Sequence, residues 1–260
     1  MTATLPMTLA LKLKAILGRE NFIRGPKNVI EDREDLIEDR QNFVEMLVER
    51  YCVGHGLEIG PGKSPYGPRN RTKYLDKHTS NKDGMPNPDI VADASNIPIC
   101  NAQFDFLISS HCLEHVPNTL WTLKEWARVI RRGGVLFLVL PHGDRTFDRH
   151  RAKTTLEHHI DDLQRVGEAK SDPSHFEEMK NGWLMNPDPF EEQKKLYEKE
   201  WGAAVWDFDF RIQNDVLHYH VWTQSEMVDI IRYLGFEILY VIDYFKERPD
   251  SFIVVSRKPS

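Results

Sequence analysis

The chain has 260 residues, enough to bury a substantial core and near the upper size for one domain, and its formal net charge is −6. An acidic balance without clustered Lys and Arg excludes a nucleic-acid binder, which must neutralise phosphates. Its three cysteines, Cys52, Cys100 and Cys112, are odd in number and lack CxxC spacing, which points to free thiols in a reducing compartment rather than a disulfide framework.

Near the N-terminus, Met7 to Leu17 is apolar but interrupted by Lys12 and Lys14. It falls short of the roughly 20 residues that span a bilayer, and no small-residue cleavage site follows it. We read it as a short amphipathic helix of a cytoplasmic protein. Residues 28–51 place Ile30, Leu36, Ile37, Phe43, Leu47 and Val48 at helical spacing, which predicts an amphipathic cover helix.

From Gly56 onward the rhythm changes to short apolar runs between turn residues: GLEIG, TKYLD, DIVADA, FDFLISS and GVLFLVLP. These are candidate parallel strands buried on both faces. Between the last two, Leu113 to Arg131 reads as a helix closed by Arg131-Arg132-Gly133-Gly134. Farther on, Thr223 caps a helix through Tyr233 that Gly235 stops, and FEILYVIDY and SFIVVS supply two final strands. The expected fold is α/β: a Rossmann-like doubly wound sheet of about seven strands, its last pair an antiparallel hairpin. Residues 142–222 do not alternate, so we expect an ordered insertion over the site. The expected division is a helical cover over 1–53, a cofactor-binding core over 54–141, a substrate lid over 142–222 and the rest of the core sheet over 223–260.

In such a sheet, ligands sit beyond the carboxyl ends of the strands where strand order reverses. After the first run comes Glu58-Ile59-Gly60-Pro61-Gly62, followed by Lys63 and Ser64, with glycines that let a ligand approach the backbone. The second run ends in Asp76 and Lys77, which puts a carboxylate where a ribose diol would lie; the third ends in Asp93-Ala94-Ser95, suited to an adenine amino group. A Gly-rich turn alone also suits a dinucleotide dehydrogenase. That fingerprint wants a glycine three residues after the second, where this chain has Pro65, and an acid about twenty residues on.

Together ExGxG, Asp76, DASNIP, FDFLISSHCLEHV and RVIRRGGVLFLVLP resemble the class I S-adenosylmethionine-dependent methyltransferases over residues 54–141. More narrowly, LEIGPGKSP, PHGDRTFDRHR and TTLEHHIDDL are similar to methyltransferase-domain proteins that accompany polysaccharide and glycolipid biosynthesis. The resemblance implies S-adenosylmethionine as cofactor, with Glu58, Gly60 and Gly62 at its methionine end, Asp76 at the ribose, Asp93 and Ser95 at the adenine, and Ser110 and His111 by the sulfonium. In one departure, Ser64 replaces the usual third Gly and Pro65 and Pro68 stand where the first cover helix should run, so that helix should be shortened or become a loop.

Methyl transfer to a hydroxyl needs a base beside the methyl group. His142, with Asp144 close by, is the leading candidate and His111 the second, since both end strands; His115 reads as a structural residue. Asp144, Asp148 and Asp161 offer carboxylates for Mg²⁺, and His158 with Asp162 shares a helix face suited to substrate or metal. His218 and His220, on one side of an extended segment, also invite a metal. Trp183, Trp201, Trp206 and Trp222, with Phe208 and Phe210, make either a core for the insertion or flat faces for sugar rings. The expected function is O-methylation of a hydroxyl on a sugar, oligosaccharide or glycolipid precursor. The alternatives are a small-molecule N- or O-methyltransferase and a non-catalytic S-adenosylmethionine-binding module. A homodimer stays open, and no membrane span is expected.

Overall fold

A computed structural model describes residues 43–79, 86–165, 172–184, 207–214 and 216–260, with isolated positions between 195 and 202. The reading of Met7 to Leu17, the first part of the 28–51 helix, and Trp201 and Trp206 lie outside the described residues.

Short β-rich runs of Val, Ile, Leu and Phe form a seven-stranded sheet: β1 (Gly56–Ile59), β2 (Thr72–Asp76), β3 (Ile90–Val91), β4 (Phe104–Ser110), β5 (Ile130–Pro141), β6 (Glu237–Ile242) and β7 (Ser251–Arg257). Their spatial order is β3-β2-β1-β4-β5-β7-β6. The first five pair in parallel, and β7 runs antiparallel to both β5 and β6. Chain order therefore reverses between β1 and β4, which opens a crevice beyond their carboxyl ends.

Alternation along the strands sorts side chains to two faces. Leu57, Ile59, Leu107, Leu136, Leu138 and Leu140 join one core; Phe106, Ile108, Val135, Phe137 and Val139 join the other. The second core is closed by α1 (Phe43–Tyr51), which buries Val44, Leu47 and Val48, each contributing about 1.5–3 kcal/mol. The first is closed by α2 (Thr119–Val129), α3 (Leu156–Gln164) and α6 (Gln224–Tyr233), where α4 (Ser174–Leu184) and α5 (Phe208–Gln213) intervene in the chain. Both faces are covered, as parallel strands require. The helix expected over 113–131 divides: a 3₁₀ turn spans Leu113–His115, and Asn118 caps α2 by accepting from the Trp121 amide. Thr223 caps α6 in a capping box with Glu226. No helix forms between β1 and β2, where Pro65 and Pro68 stand.

Residues 41–260 group as one compact unit, and described parts of the 142–222 region pack on the sheet's main core. Leu156, Ile160 and Leu163 of α3 pack on the main core, and Asn118 Nδ2 donates to the Asp162 carbonyl at 2.6 Å. Beyond α3 the region carries a small core of Phe176, Met179, Leu217 and Tyr219, with Phe147 and Ile212. Trp222 is not part of it. Fully buried in the main core, it donates its indole N–H to His159 Nε2 at 2.9 Å, which removes it as a surface for sugar rings. No described helix is long and apolar enough to cross a membrane.

Candidate active site

A cavity of about 430 Å³ opens at the switch point between β1 and β4, within the roughly 300–1,000 Å³ of small-molecule sites. Its floor is the turn after β1. Gly60 (φ 64°) and Gly62 (φ 57°) both take the left-handed conformation that side chains rarely adopt. A Cβ on Gly60 would lie 3.0 Å from Cys112, whereas one on Gly62 would point into open space. Pro61 lines the cavity between them.

Asp76 and Lys77, from the end of β2, line the same cavity, as do Asp93, Ala94 and Ser95 just past β3. Asp76 Oδ1 accepts from the His78 amide at 2.9 Å, and Asp93 Oδ1 accepts from the Ser95 amide at 2.8 Å and its hydroxyl at 2.6 Å. The main chain here is held by α2: Trp126 Nε1 donates to the Ala94 carbonyl at 2.9 Å and Trp121 Nε1 to that of Ser95 at 3.1 Å. A helix on one side of the sheet thus sets the rim on the other strand ends.

Four residues expected at the cofactor do not line the cavity: Glu58, Lys63, Ser64 and Ser110. Lys63 and Ser64 are exposed and Ser110 is half-buried. Glu58 points into the protein, accepting from the Tyr66 amide at 3.0 Å and the Gly67 amide at 2.7 Å. It ties down the proline-rich loop that stands in for a helix, and burial pushes its carboxyl up to about 7.

The far wall is built where the 3₁₀ turn meets the returning segment 216–222. The Tyr219 amide donates to the Glu114 carbonyl at 2.8 Å, and His115 Nδ1 lies 3.0 Å from the Leu217 carbonyl. His111, His115, Tyr219 and Ile212 line the cavity here. His111 has φ 48°, an uncommon conformation for a residue with a side chain and one that concentrates at functional sites. Ser251 Oγ donates to Asp250 at 2.9 Å, so at 2.8 Å it accepts from His111 Nε2 and leaves His111 Nδ1 bare, 3.5 Å from Glu114 Oε1. Since a carbonyl only accepts, the His115 proton sits on Nδ1 and Nε2 is bare, 3.9 Å from the same oxygen.

Glu114 lies fully buried behind both rings, and neither carboxyl oxygen has a hydrogen-bond partner. Burial pushes its pKa up to about 7. Burial pushes His111 and His115 down to about 3, aided by the Arg248 charge at His111 and by His218 at His115, so both imidazoles are neutral at physiological pH. Glu114, His115 and His218 bring their polar atoms within 4.8 Å of one another. Behind them His218 Nδ1 meets buried Asp148 at 2.7 Å, and Asp148 pairs with buried Arg151 at 2.9 Å. Reading the sequence for strand-end histidines set His115 aside as structural and passed over Glu114 and Tyr219; the signal available was the Glu-His pair inside the turn after β4.

The leading base candidate is corrected. His142 does not line the cavity, and both its nitrogens are engaged: Nδ1 accepts from the Asp144 amide at 3.1 Å, and Nε2 faces Asp243 at 3.1 Å. Asp243 is held in turn by Arg145, so this network ties the end of β5 to the loop before β7. Asp144 is exposed and pairs with Lys153 at 2.7 Å. The Mg²⁺ carboxylates do not converge either: Asp144 and Asp148 have separate basic partners and Asp161 is exposed. His218 and His220 also part company, the first facing Glu114 and the second packing with His158, Asp162 and His175.

Residues 70–138 match the methyltransferase domain family. No curated protein matches the chain. Solved structures similar to it include an S-adenosylmethionine-dependent methyltransferase from Thermotoga maritima (16% identity, 83% of this chain and 87% of that one, TM-score 0.45). Others are a methyltransferase of the same dependence from Aquifex aeolicus (14%, 83% and 89%, 0.45) and the N-methyltransferase NodS from Bradyrhizobium japonicum (11%, 82% and 90%, 0.41).

S-adenosylmethionine fits the residues present. The missing side chains of Gly60 and Gly62 leave room against the backbone, and Asp76 and Asp93 offer acceptors at successive strand ends around one cavity. A dinucleotide would instead need a helix N-terminus after β1 for its pyrophosphate, and residues 60–71 contain none. The seven-stranded sheet and the strand-end cavity fit the fold of a class I methyltransferase, and residues 70–138 match the methyltransferase domain family.

Proposed function

We propose that this enzyme methylates a hydroxyl of a sugar, oligosaccharide or glycolipid precursor, with His115 as general base. The observation that carries the reading is the bare Nε2 of His115 on the cavity wall. Gly60, Pro61 and Gly62 would hold the methionine end of the cofactor, Asp76 and Lys77 its ribose, and Asp93, Ala94 and Ser95 its adenine. His111 lies across β1 from the aspartates, on what would be the sulfonium side.

When bound, the cofactor supplies a methyl group made electrophilic by positive sulfur. This chain's residues align the acceptor oxygen and take its proton. An acceptor hydroxyl at the far wall donates to His115 Nε2, and the proton stays there as the carbon–oxygen bond forms. The ionised Glu114 carboxylate, 3.9 Å away, then stabilises the imidazolium. Tyr219 offers an aromatic face and the two imidazoles offer polar edges, a combination suited to a polyol ring. The 142–222 region supplies that wall, which is the sense in which it serves as a lid.

The test is a labelled-methyl screen of sugars, glycolipid fragments and amines with wild-type protein and His115→Ala. Transfer to a hydroxyl that falls by roughly two to four orders of magnitude in the variant, at near-normal S-adenosylhomocysteine affinity, is expected. Transfer only to amines, or full activity without the imidazole, would overturn the reading.

A further inference from the structure

Three imidazoles and one carboxylate converge away from the cavity. His158 and Asp162 lie one turn apart on α3, His175 is on α4, and His220 is in the returning segment. The ligand-type atoms of the four lie within 4.8 Å of one another. His158 Nε2 is 3.2 Å from His175 Nε2 and 3.2 Å from Asp162 Oδ2, and His220 Nε2 is 3.0 Å from the same oxygen. The three imidazole centroids sit 5.1 to 5.4 Å apart, at steep mutual angles. None of the four residues lines the cofactor cavity.

Hydrogen bonding serves this group poorly. His158 Nε2 carries at most one hydrogen, which cannot point well at both Asp162 and His175. A cation at the centre accepts lone pairs from all four. Zinc–nitrogen bonds of about 2.0–2.1 Å put tetrahedral ligands about 3.3 Å apart, close to the spacings found here. Three imidazoles and one carboxylate favour a borderline transition ion over Mg²⁺, which prefers oxygen. The support behind the ligands also matches: His220 Nδ1 contacts Thr119 Oγ1 of α2 at 3.1 Å, fixing the ring so that Nε2 faces inward.

We infer that His158, Asp162, His175 and His220 bind one zinc ion that ties α4 and the returning segment to α3, the helix of the 142–222 region that packs on the main core. Four protein ligands close the coordination sphere, so the ion is structural and does no chemistry. A staple has work here, because among the described residues the apolar core beyond α3 is confined to a few side chains. His220 precedes Trp222 in the main core and follows Tyr219 on the cavity wall, so the ion would also hold that wall in place.

Elemental analysis of the full chain, purified without added metal or chelator, tests this, together with zinc-edge X-ray absorption. The expected results are zinc at one equivalent per chain more than in His175→Ala, and a first shell of nitrogen and oxygen with imidazole scattering. A second variant, His220→Ala, should lose the same equivalent, and cofactor-product binding by either variant reports that it is folded. Wild-type protein without zinc, a folded variant that keeps the wild-type amount, or a sulfur-containing shell would overturn the proposal. Metal content is read without any methyl acceptor, so its outcome is separate from that of the O-methylation reading.

Discussion

His115 Nδ1 reaches the carbonyl of Leu217 at 3.0 Å, joining the turn after β4 to a residue 102 positions later. That bond selects the tautomer of His115, bares Nε2 to the cavity and anchors the returning segment. The proposed base and the anchoring of the returning segment therefore depend on the same contact.

The network at His142 predicts a small effect. His142→Ala should keep turnover within a few-fold of wild type, because the ring faces Asp243 and the Asp144 amide rather than the cavity. Steady-state kinetics decide it; a loss of two or more orders of magnitude would return His142 to the role of base.

Glu114 predicts a pH dependence. Its folded pKa, about 7, lies above its ordinary 4.5, so the folded state holds the proton more tightly than the unfolded one. Its contribution to stability is complete below about 4.5 and is lost as pH rises through about 7. Activity runs the other way, since the ionised form supports the imidazolium. We expect kcat/KM to rise through an ionisation near 7 that vanishes in Glu114→Gln, while wild type loses stability relative to the variant as pH rises from about 4.5 through about 7. Identical pH profiles for the two proteins would rule this out.

Asp148 and Arg151 form a buried ion pair behind the far wall, with His218 against Asp148. Asp148→Ala leaves the buried Arg151 guanidinium with the half-exposed Glu178 as its one remaining carboxylate among the described residues, which should cost about 1–3 kcal/mol in urea unfolding. A cost below about 1 kcal/mol would mean that other groups or water replace the carboxylate.

Gly60→Ala should weaken S-adenosylhomocysteine binding about ten-fold or more. A side chain there is strained by about 1–2 kcal/mol at positive φ, and its Cβ would crowd Cys112 at 3.0 Å. Calorimetry measures it, and wild-type affinity would show that the turn relaxes freely.

Trp222→Ala should lower stability by about 3–5 kcal/mol, the loss expected for a large core side chain. A folded, near-wild-type variant with reduced acceptor binding alone would instead put the indole at the substrate.

Much of the fold follows from local order. The apolar runs at 56–60, 72–76, 104–110 and 134–141 are too continuous to face water on either side, which makes them central parallel strands. Pro65 and Pro68 forbid a helix whatever surrounds them, and the structure has a loop there. Gly60, Gly62, Asp76 and Asp93 could be found because each sits at a strand end, and parallel strands bring their ends together. Glu58 shows the limit of that rule: it is one residue from the strand end, and alternation turns it away from the cavity.

What local order leaves open is where the long region between β5 and α6 returns. His142 ends a strand as Asp76 does, yet the loop before β7 brings Asp243 to it and takes it out of the site. His218 and His220 share one side of an extended segment, but they enter different clusters because α3, α4 and the turn after β4 approach from different directions. Period and spacing act over a few residues and were enough for the sheet and for the glycine turn that lines the cavity. The candidate base and the histidine cluster depend on contacts between residues as far apart as His115 and Leu217, whose placement only the packed structure sets.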